Sequence, residues 1–154
     1  MQALVRSEVD VSAPAGLVWS YVTDWPRQGD WIPLTRVEAV DAADGVGGRI
    51  RAWNGIGRVG FWDTMTITAW EQYDNGSARC EVLHTGAVVR GDGEFAVEAR
   101  DEETCRFVWW ERLDIPGGWL GALGWWAVRP LAQRGVDHAV RRFAVRAEDL
   151  YAAV

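Results

Sequence analysis

Residues 135–150 read GVDHAVRRFAVRAEDL, and their spacing decides the fold. Val136, Val140, Phe143, Ala147 and Leu150 recur at intervals of four and three, which is one face of a helix, while Arg141, Arg142, Arg146, Glu148 and Asp149 mostly fall elsewhere. The pattern predicts a long helix over 132–152. Upstream the period is two: candidate strands are 36–41, 48–54, 61–71, 78–86, 88–99 and 104–114, separated by Asp-Gly, Asn-Gly and Asp/Glu-rich turns. Connections this short favour antiparallel neighbours and leave no room for crossover helices. Residues 3–11 alternate as a first, half-buried strand. Ser12-Ala13-Pro14 then opens a helix with the apolar stripe Leu17, Val18, Tyr21 and Val22, ending near Asp24 ahead of Pro26. Residues 25–34 read as a second short helix or ordered loop, and Pro130 predicts a kink or restart that sets 119–129 apart. A sheet with one apolar face and one long amphipathic helix has a simple solution: the sheet curls around the helix.

At 154 residues, with 49% hydrophobic and 25% charged side chains, the chain reads as a single globular domain over 1–154, without repeat, linker or low-complexity tract. A net charge of −6 argues against nucleic acid as a partner, since phosphate binding needs a basic surface. The N-terminal MQALVRSEVDV has neither the basic nor the apolar region of a signal peptide, and the longest apolar stretch, around Trp119 to Val128, is too short to span a bilayer. A cytoplasmic location is the expectation, with membrane contact not the expected mode of action. Cys80 and Cys105 fit no metal spacing and no disulfide framework, which leaves buried thiols. Eleven tryptophans point to a ligand cavity or an adhesive surface.

The opening VDVSAPAGLVWSYVTDWPRQGDWIP (9–33) resembles the START-like, polyketide cyclase/dehydrase (SRPBCC) superfamily, as do FWDTMTITAWE (61–71), CRFVWWERLDI (105–115) and RRFAVRAEDL (141–150). The resemblance implies an α+β helix-grip fold. In it a curved antiparallel sheet of about seven strands wraps around the long C-terminal helix, with two short helices after the first strand and a cavity between sheet and helix. Members include aromatase/cyclases, lipid carriers, hormone receptors and co-chaperone domains. They share no single catalytic motif, so none is carried over.

Gly55-Ile56-Gly57-Arg58-Val59-Gly60 matches GxGxxG, but a strand follows it where a dinucleotide site needs a helix, so it reads as a hairpin loop. Asn75-Gly76-Ser77 reads as a hairpin turn. Polar residues on apolar strand faces are more informative. Asp63 alternates with Phe61, Met65 and Ile67, His84 with Cys80 and Val82, and Glu111 with Phe107, Trp109 and Leu113. With Ser7, they would place an imidazole and two carboxylates in one cavity, a set suited to proton transfer in an aldol cyclisation or dehydration. The alternative is that strand ends and bulges turn them to solvent, or that they satisfy one another structurally. Arg51 is a further candidate partner, and His138 lies off the apolar stripe of the long helix.

The expected ligand-binding residues are Trp109, Phe107, Met65, Phe95, Val82, Trp31 and Phe143, with Trp62 or Trp70 added only if a bulge shifts their strand. Trp25 and Trp31 fall where such folds have their mouth and are candidates to gate it. Trp119, Trp125 and Trp126 read mainly as core, with lid, dimer contact or membrane-touching site as alternatives. No metal and no cofactor is expected. The leading function is binding of a small hydrophobic or aromatic, lipid- or polyketide-like ligand. One alternative is a polyketide cyclase/aromatase or dehydratase using His84 with Asp63 or Glu111; another is a regulatory partner-binding protein. Whether the chain is an enzyme stays open at this point, as does a homodimer.

Overall fold

The computed structural model describes residues 1–154. The strands are β1 (Gln2–Val11), β2 (Thr35–Ala39), β3 (Arg49–Ile56), β4 (Val59–Gln72), β5 (Ala78–Thr85), β6 (Arg90–Ala99) and β7 (Cys105–Asp114). Helix α1 (Ala15–Val22) and a 3-10 helix (Trp25–Asp30) follow β1, and α2 (Gly118–Ala152) closes the chain. All seven strands form one antiparallel sheet in the order β1-β7-β6-β5-β4-β3-β2. Hairpins join β2 through β7 in sequence, while β1 crosses to pair with β7 from Gln2 opposite Asp114 to Val11 opposite Cys105. The sheet curves around the C-terminal half of α2 in a helix-grip arrangement.

The helix is gripped by the stripe its sequence displays. Ala139, Val140, Phe143, Ala144 and Ala147 are buried, and the Phe143 ring lies 4.1 Å from Phe107 and 4.9 Å from Trp31, centroid to centroid. Tyr21 of α1 stacks on the other side of Phe143 at 5.2 Å. In β4 the register slips between Ile67 and Ala69, and this bulge turns Trp70 inward, edge-on to Trp19 at 5.0 Å. Trp62 precedes the bulge and stays on the outer face, where it packs on Trp53 and lies under the Arg51 guanidinium at 4.3 Å. The Gly55–Gly60 segment is the β3–β4 hairpin, with Gly55 opposite Gly60.

Two expectations fail at α2. Pro130 does not restart it as a separate segment: the helix runs continuously from Gly118 to Ala152, and the carbonyl that Pro130 leaves without a partner lies on an exposed stretch that water can satisfy. The Trp119–Trp126 segment is not core either, since Trp119 and Trp126 are largely exposed and only Trp125 turns partly inward. One side of this part of α2 lies along β1, where Ala122, Trp125, Trp126 and Arg129 border a cleft with Met1, Gln2, Ala3 and Leu4, while Trp119, Leu120 and Leu123 stay exposed. No helix is long and apolar enough to cross a membrane.

Candidate functional site

Between the sheet and the 3-10 helix lies a cavity of about 100 Å³. Its apolar wall includes Ile32, Ile50, Met65, Val82, Phe95 and Trp109, and its polar end holds Asp63, His84 and Glu111 with Asn54 nearby. Four of the seven expected ligand-binding residues, Met65, Val82, Phe95 and Trp109, therefore line it. Trp31, Phe107 and Phe143 do not. They form an aromatic plug between sheet and helix, with Trp31 at 5.8 Å from Phe107 and 5.7 Å from Trp109, and the cavity is the space this plug leaves free. Trp25 and Trp31 are not gates, being 4% and 0% exposed; the Trp25 indole N–H donates to the Ala43 carbonyl.

The three polar residues meet. Asp63 is brought by β4, His84 by β5 and Glu111 by β7. His84 Nδ1 lies 2.9 and 3.0 Å from the two Asp63 carboxylate oxygens, and Nε2 lies 2.7 Å from Glu111 Oε2. The Trp109 indole N–H donates to Glu111 Oε1 at 2.8 Å. Ser7 is not among the cavity-lining residues, and Arg51 points to the outer face, where it pairs with Glu38, because Ile50 and Ala52 take the inward positions of β3.

His84 and Glu111 stand on strands that are not neighbours: β6 runs between them. Strands are spaced at ~4.8 Å, so the two backbones are separated by about twice that distance. The residue of β6 paired with Glu111 is Gly93, and the one paired with His84 is Gly91. A Cβ on Gly93 would stand 2.2 Å from Glu111 Oε2. The missing side chain thus makes the space in which the carboxylate reaches the imidazole. Gly93 is the site residue that the alternation argument missed. Its signal was a glycine inside an otherwise regular strand, which marks close approach of another group.

Two carboxylates on one imidazole fix its charge. Burial works against the imidazolium, but the hydrogen bonds and charges of Asp63 and Glu111 outweigh it, and the His84 pKa is pushed up to about 10. At neutral pH both ring nitrogens donate, and the chain Asp63–His84–Glu111 carries a net single negative charge. His84 side-chain exposure is 4%, so water screens this arrangement little. His84 has no free nitrogen to act as a base. Glu111 keeps lone pairs beyond the two bonds it accepts, and it lines the cavity. The polar end is accordingly rich in acceptors. No group of three or more His, Cys, Asp or Glu side chains has a metal-holding arrangement. Cys80 and Cys105 are buried thiols, pushed up by desolvation to about 12 and about 11.

Residues 2–148 match the family described as polyketide cyclase / dehydrase and lipid transport. The chain belongs to that family. No curated protein sequence matches it. Among solved structures, it is similar to the Zhui aromatase/cyclase of Streptomyces sp. R1128, with 21% identity, 96% of this chain and 94% of that one covered, and a TM-score of 0.70. A protein from Thermus thermophilus is similar over 99% of this chain and 100% of its own, with 21% identity and a TM-score of 0.71. A START superfamily protein from Mycobacterium smegmatis gives 14% identity, 90% and 97% coverage and a TM-score of 0.56. At these identities the likeness establishes the shared fold, and activity has to be argued from the site.

Proposed function

We infer that the protein binds a small, mostly apolar molecule carrying a hydrogen-bond donor, a hydroxyl or a protonated amine, in the cavity between the sheet and the 3-10 helix. The observation that carries this reading is an apolar pocket closed at one end by a buried, net-negative Asp63–His84–Glu111 chain. Such a pocket favours an apolar ring by burial and a donor by charge-assisted hydrogen bonding to Glu111. Its size narrows the class further. A cavity of ~150 Å³ accommodates benzene, so about 100 Å³ limits the ligand to one small ring at most. A lipid- or polyketide-sized ligand would require the 3-10 helix to move away from β2 and β3.

The test is a titration followed by tryptophan fluorescence, comparing phenol with toluene. The hydroxyl should tighten binding about tenfold or more through its bond to a charged acceptor. Glu111→Gln should abolish most of that preference, and Trp109→Ala should weaken both ligands. Equal affinity for phenol and toluene in the wild type would sink the reading.

A second reading, cyclase- or dehydratase-type catalysis, is favoured by the meeting of Asp63, His84 and Glu111 on one cavity wall, because ionisable groups clustered in a pocket are what proton transfer requires. In this reading Glu111 removes the proton and the His84 imidazolium holds the resulting charge in place. It predicts deuterium exchange at the acidic C–H of a small cyclic β-diketone, accelerated by the wild type and lost in Glu111→Gln. Binding of the diketone with exchange no faster than in buffer would leave the binding reading alone.

A further inference from the structure

The N-terminal half of α2 displays a surface that neither the cavity nor the core explains. Trp119 and Trp126 are each 76% exposed, and Leu120, Leu123 and Leu131 are between 59% and 71% exposed. By the 3.6-residue repeat these five fall on one side of the helix, with Trp126 at the edge of that side, where it also borders a cleft with Met1, Gln2, Ala3 and Leu4. Further along, the same side carries Arg134, His138 and Arg141, all exposed. The outward face therefore turns from apolar to charged within one helix, and the change cannot serve the intramolecular core, which lies on the opposite side.

We propose that this face is a two-fold interface between copies of the chain, formed by antiparallel packing of the 119–131 stretch against itself. The five side chains expose on the order of 700 Å² of mostly apolar surface. That is close to the ~800 Å² each partner contributes to a standard stable interface, and above the ~300–600 Å² of the largest patch on an ordinary monomer.

Shape and charge complete the case for self-pairing. Gly124 lies near the middle of the stretch, and a Cβ built there would meet nothing within 4 Å. It is an open notch beside Leu120 and Leu123. A two-fold axis near Gly124 gives each copy both the notch and the protruding side chains that fill its partner's notch. No charged residue occurs from Ile115 to Val128, so no like charges meet across the axis. A lipid surface is the less fitting occupant. Interfacial helices carry a basic polar face, whereas the side of α2 opposite this patch packs on β1, and the chain as a whole carries −6.

The experiment is sedimentation velocity of the purified full chain across a wide concentration range, for the wild type and two variants, Gly124→Arg and Trp119→Ser. Gly124→Arg fills the notch with a charge at a position open to solvent and raises helix propensity, so the monomer stays folded. The wild type should be a dimer, and each variant should weaken dimerisation at least ~30-fold. A wild type that stays monomeric, or a Gly124→Arg variant that remains a dimer of unchanged affinity, would overturn the proposal. So would a monomeric wild type that binds phosphatidylglycerol vesicles, because it would assign the patch to a bilayer.

Discussion

Replacing Gly93 by alanine tests the architecture of the site with one methyl group. The added Cβ would stand 2.2 Å from Glu111 Oε2 and 2.6 Å from its Cδ, where ordinary contact begins at ~3.4 Å. The clash falls on the end of a flexible side chain, so the carboxylate has to move by about 1 Å or more while the backbone stays in place. That displacement breaks the 2.7 Å bond to His84 Nε2 and leaves the 2.9 and 3.0 Å contacts to Asp63 intact. A hydrogen bond to a charged group contributes about 1.5–3 kcal/mol, and 1.36 kcal/mol corresponds to one pH unit, so the His84 pKa should fall by about one to two units from its value of about 10. The assay is a pH titration of the imidazole resonances by two-dimensional NMR, with His84 assigned against a His138→Gln sample. Glu111→Gln should give a shift in the same direction. An unchanged His84 titration in Gly93→Ala, in a variant that remains folded, would refute the claim that Gly93 makes the space for this contact.

Stability should depend on the same group. Because the folded pKa of His84 is raised above 6.5, its contribution is fully present below pH 6.5 and is lost as pH rises toward 10, with a slope of at most about 1.4 kcal/mol per pH unit in denaturant melts; His84→Gln should remove that slope. Phe143→Ala removes a fully buried ring from the aromatic plug and should cost about 3–5 kcal/mol in urea unfolding, whereas a cost below 1 kcal/mol would place that ring outside the core. Cys80 and Cys105 should react with a thiol reagent only on unfolding, since both are fully buried and their thiolates are disfavoured by desolvation; rapid modification of the native chain would contradict their placement.

What was legible in the sequence is what periodicity encodes. The two-residue period gave the inward positions of Asp63, His84 and Glu111, and the heptad-like stripe from Val136 to Leu150 gave the gripped face of α2. Alternation, however, assigns a face and not a depth. It put Trp31, Phe107 and Phe143 inside without showing that they would pack on one another and fill the space, which depends on how three separate elements converge. Nor did it show that His84 and Glu111 meet across an intervening strand, because that depends on the register that sets Gly93 opposite Glu111. Trp70 needed the bulge at Ile67–Ala69 to turn inward, and a bulge leaves no periodic trace in a single sequence. Trp119, Trp125 and Trp126 read mainly as core because composition alone does not say which side of a helix its neighbours cover.

Phenol and toluene titrations of the wild type and of Glu111→Gln probe the ligand cavity that joins an apolar wall to a buried acceptor at Glu111. Both molecules should perturb the tryptophan fluorescence, phenol should bind about tenfold or more tighter, and Glu111→Gln should bring the two affinities together. Failure of either molecule to bind, or a phenol preference that survives unchanged in Glu111→Gln, would contradict binding at this site.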